Sequence, residues 1–162
     1  MIRFLASGFY SGYLPKAPGT WGTVVALPLI IICDALNINL FFVTGIIFLV
    51  GWYVSQHLTH DPASDPDPSY IVIDEIAGMF MTMALCLHFN IIHAVTFLSL
   101  LIGFVLFRLF DIWKPWPINV LDEKLAQTVA WRGFGVMIDD ILAAIWATVT
   151  MGIFMIILLY ML

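Results

Sequence analysis

Long apolar runs separated by short polar connectors dominate the chain. Residues 40–56 (LFFVTGIIFLVGWYVSQ) carry no charge and close on Trp52 and Tyr53, an aromatic pair of the kind found at membrane–water interfaces. Residues 71–89 are apolar apart from Asp74 and Glu75 near their start, and residues 90–110 are apolar until Arg108. Residues 136–161 are apolar apart from Asp139 and Asp140. Each run is close to the ~20 residues a helix needs to cross a bilayer. A fifth run, Gly22–Leu36, is shorter and contains Pro28, so it suits either a short span or a re-entrant helix. The opening Ile2–Leu14, aromatic and glycine-containing, reads as an interfacial segment. The pattern predicts an all-α fold. It is a polytopic membrane helix bundle of about four to five transmembrane helices, with a short or re-entrant N-terminal helix, and a single domain over 1–162.

Composition sharpens this picture. Sixty-two per cent of residues are hydrophobic and 10% are charged, with a mean hydropathy of +1.03. Soluble domains run nearer ~45–50% apolar and ~25% charged. A chain of this size cannot hide such an excess in a soluble core, and disorder needs the opposite composition. Six Lys and Arg without a basic run argue against nucleic acid. Cys33 and Cys86 lie in apolar runs and show neither a disulfide framework nor zinc-ligand spacing. Met1–Gly12 lacks the apolar core and small-residue cleavage site of a signal peptide, so insertion is expected from the internal spans. Gly45, Gly51 and Gly78 are candidates for close helix contacts.

Charge placement gives the topology. If all five runs cross, Arg3, Lys16, Arg108, Lys114, Lys124 and Arg132 fall at one end of the bundle, together with every acid except Asp34. The positive-inside rule makes that end cytoplasmic; a re-entrant first helix would break this placement. Three separate runs then bring carboxylates to one depth: Asp74 with Glu75, Asp111, and Asp139 with Asp140. Intramembrane acids are costly, and five of them sharing a small volume require cations. Oxygen-rich clusters suit hard ions such as Mg²⁺. Neighbours on a helix point ~100° apart, so one acid of each pair is expected to face the axis.

Arg108, Asp111 and Lys114 follow at i, i+3 and i+6 along one helix face ended by Pro115. The carboxylate can hold a cation while the basic groups hold phosphate oxygens. The stretch LPKAPGTWGT at 14–23 reads as a turn entering a helix, where backbone N–H groups with Lys16, Thr20 and Thr23 can cradle an anion; it lacks the order of a Walker P-loop. The segment 57–70, rich in Asp and Pro, reads as extended and solvated. Its DPDPS looks like a haloacid-dehalogenase nucleophile motif but follows no buried strand. His57, His60, His88 and His93 show no metal-binding pattern and read as interface residues.

Four segments in order, APGTWGT at 17–23, DPSYIVIDEIAGM at 67–79, FRLFDIWKPWPI at 107–118 and GFGVMIDDILAA at 133–144, resemble the phosphatidylglycerophosphatase A family. The resemblance implies Mg²⁺-dependent hydrolysis of phosphatidylglycerophosphate to phosphatidylglycerol and inorganic phosphate, in the bacterial inner membrane. It places Asp74, Glu75, Arg108, Asp111, Lys114, Asp139 and Asp140 on the family's acidic and basic motif positions. For that chemistry the expected metal ligands are Glu75, Asp111 and Asp139, with Asp74 or Asp140 as general base. Arg108 and Lys114, with Lys16 or Arg132, would hold the phosphoryl oxygens; a covalent aspartyl-phosphate ranks second. The expected partners are the phospholipid substrate and the membrane. Rival readings are another phospholipid phosphatase or phosphotransferase, whose usual motifs are missing, a cation transporter, and an assembly subunit.

Overall fold

In the computed structural model, which describes residues 1–161, the regular structure is helical throughout. In chain order the helices are α1 (Ile2–Ala6), α2 (Pro18–Ala35), α3 (Leu40–Thr59), α4 (Ile73–His88), α5 (Phe97–Trp113), α6 (Ile118–Gln127) and α7 (Arg132–Met161), with short 3₁₀ turns at Ser11–Tyr13 and Val129–Trp131. Local chemistry sets several ends. Pro18 opens α2, where its missing N–H costs nothing. Asn39 caps α3, its Oδ1 accepting from the N–H of Phe41 at 2.9 Å and of Phe42 at 3.3 Å. Thr96 and Ser99 form a capping box at α5. Lys114 leaves α5 in the left-handed region at φ 44°, and Pro115 prevents continuation.

Three helices, α2, α3 and α7, are long and apolar enough to cross a membrane. At 16 and 17 residues, α4 and α5 are shorter, about 24–26 Å at 1.5 Å per residue. The first apolar run is a continuous helix that begins four residues earlier than Gly22 and runs through Pro28. Its two ends lie at opposite ends of the bundle. Gly19 sits against Glu75 at the start of α4, whereas Asp34 and Asn37 share a cavity with Leu87 and His88 at the end of α4. The helix therefore traverses the bundle and does not re-enter.

Two boundaries differ from the apolar pattern. The run 90–110 is helical only from Phe97, because Asn90 turns the chain at φ 54° and the Thr96–Ser99 box fixes the helix start. The connector 113–135 holds α6, anchored by the fully buried Ile118. The N-terminal segment packs across the charged end, where the Val72 N–H donates to the Ala6 carbonyl at 2.9 Å.

The fourth helix forms the hub, packing against α2, α3, α5 and α7. Met79, Phe80 and Met83 are fully buried there, among Ile30, Phe107 and Ala147. Gly78 brings α4 onto α5: a Cβ there would meet the Phe107 ring at 2.5 Å. Gly51 lies similarly against Met137, while Gly45 faces open space and marks no contact. Around this core, Phe42, Leu49, Leu98, Val105, Leu109 and Ile153 point outward and exposed. A belt of this extent needs a lipid environment.

Candidate active site

At one end of the bundle a cavity of about 260 Å³ opens between α2, α4, α5 and α7. The first turn of α4 supplies Asp74 and Glu75, α5 supplies Arg108 and Asp111, the residue that follows it adds Lys114, and α7 supplies Asp139 and Asp140. The expectation that one acid of each pair would face the axis does not hold. All four line the cavity: Asp74 and Glu75 from the first turn of α4, and Asp139 and Asp140 from about two turns inside α7.

Three of the acids converge most closely. Asp74, Glu75 and Asp140 each present an oxygen, all within 4.8 Å of one another, in an arrangement able to hold a metal ion. Asp74 Oδ1, Glu75 Oε2, Asp139 Oδ1 and Asp140 Oδ2 are buried without a hydrogen-bond partner among the described residues. Buried carboxylate oxygens are costly when unsatisfied, and mutually repelling ones more so. Hard, clustered, unsatisfied oxygens are the donor set that a hard divalent cation fits.

The two basic side chains divide the remaining acids. Arg108 Nη1 hydrogen-bonds Asp111 and lies 3.6 Å from Glu75 Oε1. Lys114 Nζ donates to Asp122 at 2.7 Å and to Asp139 at 3.2 Å. Burial alone would lower the Lys114 pKa, but the hydrogen bonds and charges of Asp122 and Asp139 outweigh it and hold the ammonium above its ordinary range. Asp111 and Asp139, expected as metal ligands, thus each carry an ion pair, and the tight cluster contains Asp74 and Asp140 instead.

The start of α2 forms another wall. Lys16 and Ala17 are both left-handed, at φ 67° and 49°, and this turn lays the backbone of Ala17, Pro18 and Gly19 on the cavity. A Cβ on Gly19 would meet Glu75 Oε1 at 2.0 Å and Arg108 Nη1 at 2.9 Å. The cradle is therefore backbone, and the side chains proposed for it stay off the cavity wall. Lys16 is exposed and Thr20 half-buried. The buried Thr23 hydroxyl donates to the Gly19 carbonyl at 2.9 Å. Arg132 Nη1 donates to the carbonyls of Thr59 at 3.3 Å and Asp61 at 3.1 Å, tying α7 to the end of α3.

Asp67 and Ser69 also line the cavity, although their segment reads as solvated in the sequence. Their position just upstream of the Asp74–Glu75 turn was the available signal. Asp122 had none, since its partner Lys114 lies on another helix end.

A family model described as phosphatidylglycerophosphatase A matches residues 4–155. The chain is 41% identical over 150 residues to a phosphatidylglycerophosphatase A of Haemophilus influenzae, covering 91% of this chain and 85% of that one. It is 36% identical over 146 residues to a phosphatidylglycerophosphatase A of Escherichia coli, covering 88% and 77% respectively. No solved structure matches. With this extent of similarity over a membrane bundle that gathers carboxylates and bases at one end, the chain is an enzyme belonging to the phosphatidylglycerophosphatase A family.

Proposed function

We propose that the chain hydrolyses the phosphomonoester of phosphatidylglycerophosphate to phosphatidylglycerol and inorganic phosphate, with Mg²⁺ as cofactor, at the cytoplasmic face of a bacterial inner membrane. The observation that carries this reading is the convergence of Asp74, Glu75 and Asp140 beside Arg108 and Lys114. The names of the two relatives point to the substrate. The cytoplasmic side is supported by the cavity lying at the end that carries the basic residues, the end the positive-inside rule favours for the cytoplasm.

Asp74, Glu75 and Asp140 would hold the cation. Bound there, Mg²⁺ would supply Lewis acidity and positive charge to the phosphoryl oxygens. Arg108 and Lys114 bind the same oxygens as negative charge builds on them. Asp139, oriented through Lys114 and with a buried Oδ1 lacking a hydrogen-bond partner, takes the proton from the attacking water. The water oxygen bonds to phosphorus, the ester P–O bond breaks, and the glycerol oxygen leaves as the alcohol with a proton taken from solvent water, to which Asp139 later returns the proton it accepted. The acyl chains remain in the bilayer against the apolar belt, so the headgroup alone enters the cavity.

The test is phosphate release in mixed micelles. Wild-type protein with Mg²⁺ is expected to release phosphate from phosphatidylglycerophosphate, to lose that activity in EDTA, and to recover it when Mg²⁺ is restored. Folded protein that releases none, or is indifferent to EDTA, refutes the proposal. The cradle also yields a prediction. Thr23→Val removes one internal hydrogen bond, at a cost of about 1 kcal/mol in stability, and is expected to leave the initial rate within about threefold of wild type. A loss resembling that of a cluster carboxylate would return the Thr23 hydroxyl to the phosphate site.

A further inference from the structure

The Lys114–Asp122 contact goes beyond the groups just assigned. Lys114 follows the end of α5, and its flexible arm could extend to solvent as readily as into the cavity. Two carboxylates prevent that. Asp139 on α7 accepts at 3.2 Å, and Asp122 on α6 accepts at the shorter 2.7 Å. Asp122 does not line the cavity; its one hydrogen bond to a cationic group of the site is to Lys114, and it lies beside Asp139, which shares that ammonium. An ammonium has three N–H donors. With two directed at Asp122 and Asp139, the third has a defined direction, available to a phosphoryl oxygen.

The support behind Asp122 is rigid. Ile118, one turn earlier on α6, is fully buried, and a Cβ on Gly135 of α7 would meet Leu125 Cβ at 2.8 Å, so α6 lies tightly on α7. The contact is also a poor stabiliser. With side-chain exposures of 28% and 36%, it belongs among partly solvated ion pairs, which contribute little to folding. A short charge-assisted bond with little stabilising value, aimed at a cavity lysine, points to a role in activity.

We infer that Asp122 is a positioning residue: from a helix beside the cavity it aims the Lys114 ammonium at the phosphoryl group of the substrate. The inference rests on the phosphatase reading above. Asp122→Asn is expected to lower kcat/KM about tenfold, the loss of one charge-assisted hydrogen bond. Asp122→Glu should recover much of that loss. In a Lys114→Met background, Asp122→Asn should add less than about a twofold further loss, because the side chain it acts through is gone.

A second readout does not need turnover: stabilisation of the full chain in detergent against thermal unfolding by inorganic phosphate. This shift should shrink in Asp122→Asn and in Lys114→Met alike, with the ligand-free midpoint of Asp122→Asn near that of wild type. Unchanged kcat/KM and an unchanged phosphate shift in Asp122→Asn would overturn the inference. So would full additivity with Lys114→Met, or a loss accompanied by a lowered ligand-free midpoint. Active wild type with an indifferent Asp122→Asn defeats only the inference, whereas inactive but folded wild type defeats the phosphatase reading.

Discussion

Asp140→Asn is expected to abolish Mg²⁺-dependent phosphate release while leaving the metal-free protein at least as stable as wild type. The two effects have one cause. Asp140 shares a 4.8 Å neighbourhood with Asp74 and Glu75, and its Oδ2 is buried without a hydrogen-bond partner among the described residues. Without a cation these charges repel across a short distance in a poorly solvated place. Replacing one by an amide of the same shape removes repulsion and sacrifices no hydrogen bond of that oxygen. With a cation the balance reverses, since the ion loses one of three anionic ligands. Activity should fall by about 10³-fold or more, beyond the 10–100-fold typical of residues that merely support a ligand. Mg²⁺ at about 100 times its dissociation constant would stabilise wild type by ~2.7 kcal/mol. That corresponds to roughly 5–10 °C for a chain of this size, and most of the shift should vanish in the variant. Thermal unfolding with and without Mg²⁺ checks this independently of turnover. A variant that keeps the wild-type Mg²⁺ shift would remove Asp140 from the cation site.

The architecture was largely legible because membrane insertion writes itself into composition. Runs near 20 apolar residues have few alternatives to helix in a bilayer, and the gathering of acids at one end followed from counting crossings. The residues that converge on the cavity were likewise visible, as acids placed where acids are costly. What the sequence left unread was short-range geometry. Asp111 and Asp139 look like ligands along the chain, and in the structure each also hydrogen-bonds a base, Arg108 or Lys114. Asp74 and Asp140 form no ion pair among the described residues and come together with Glu75, which lies 3.6 Å from Arg108. That sorting depends on which side chain reaches across an interhelical gap, something no periodicity encodes. Thr23 and Arg132 were read from type and proximity; in the structure the Thr23 hydroxyl donates to the Gly19 carbonyl of its own helix, and Arg132 donates to carbonyls at the end of α3. Residues 90–96 were lost from the predicted span because apolarity persists there while Asn90 and the Thr96 cap turn the chain.

Gly19→Ala should be nearly as damaging as loss of a carboxylate, although it adds one methyl group. In the structure that methyl would sit 2.0 Å from Glu75 Oε1 and 2.9 Å from Arg108 Nη1. Neither neighbour can yield without disturbing the cavity. Glu75 belongs to the cluster, and Arg108 is tied to Asp111 and lies 3.6 Å from Glu75. Gly19 is the second residue of α2, outside the helix interior where alanine outdoes glycine by about 1 kcal/mol, so helix propensity changes little and the damage falls on the chemistry. A displacement of about 1 Å in a positioned group can cost ~10²-fold in rate, and a loss of that order is expected in kcat. Gly45→Ala is the control, since nothing lies within 4 Å of its added Cβ; it should gain helix propensity with unchanged turnover. The comparison separates close approach from backbone freedom, because both glycines lie within helices and neither has a positive φ. If Gly19→Ala and Gly45→Ala retain equal activity, α2 can move away from Glu75 and Arg108, and its first turn is no fixed wall of the site.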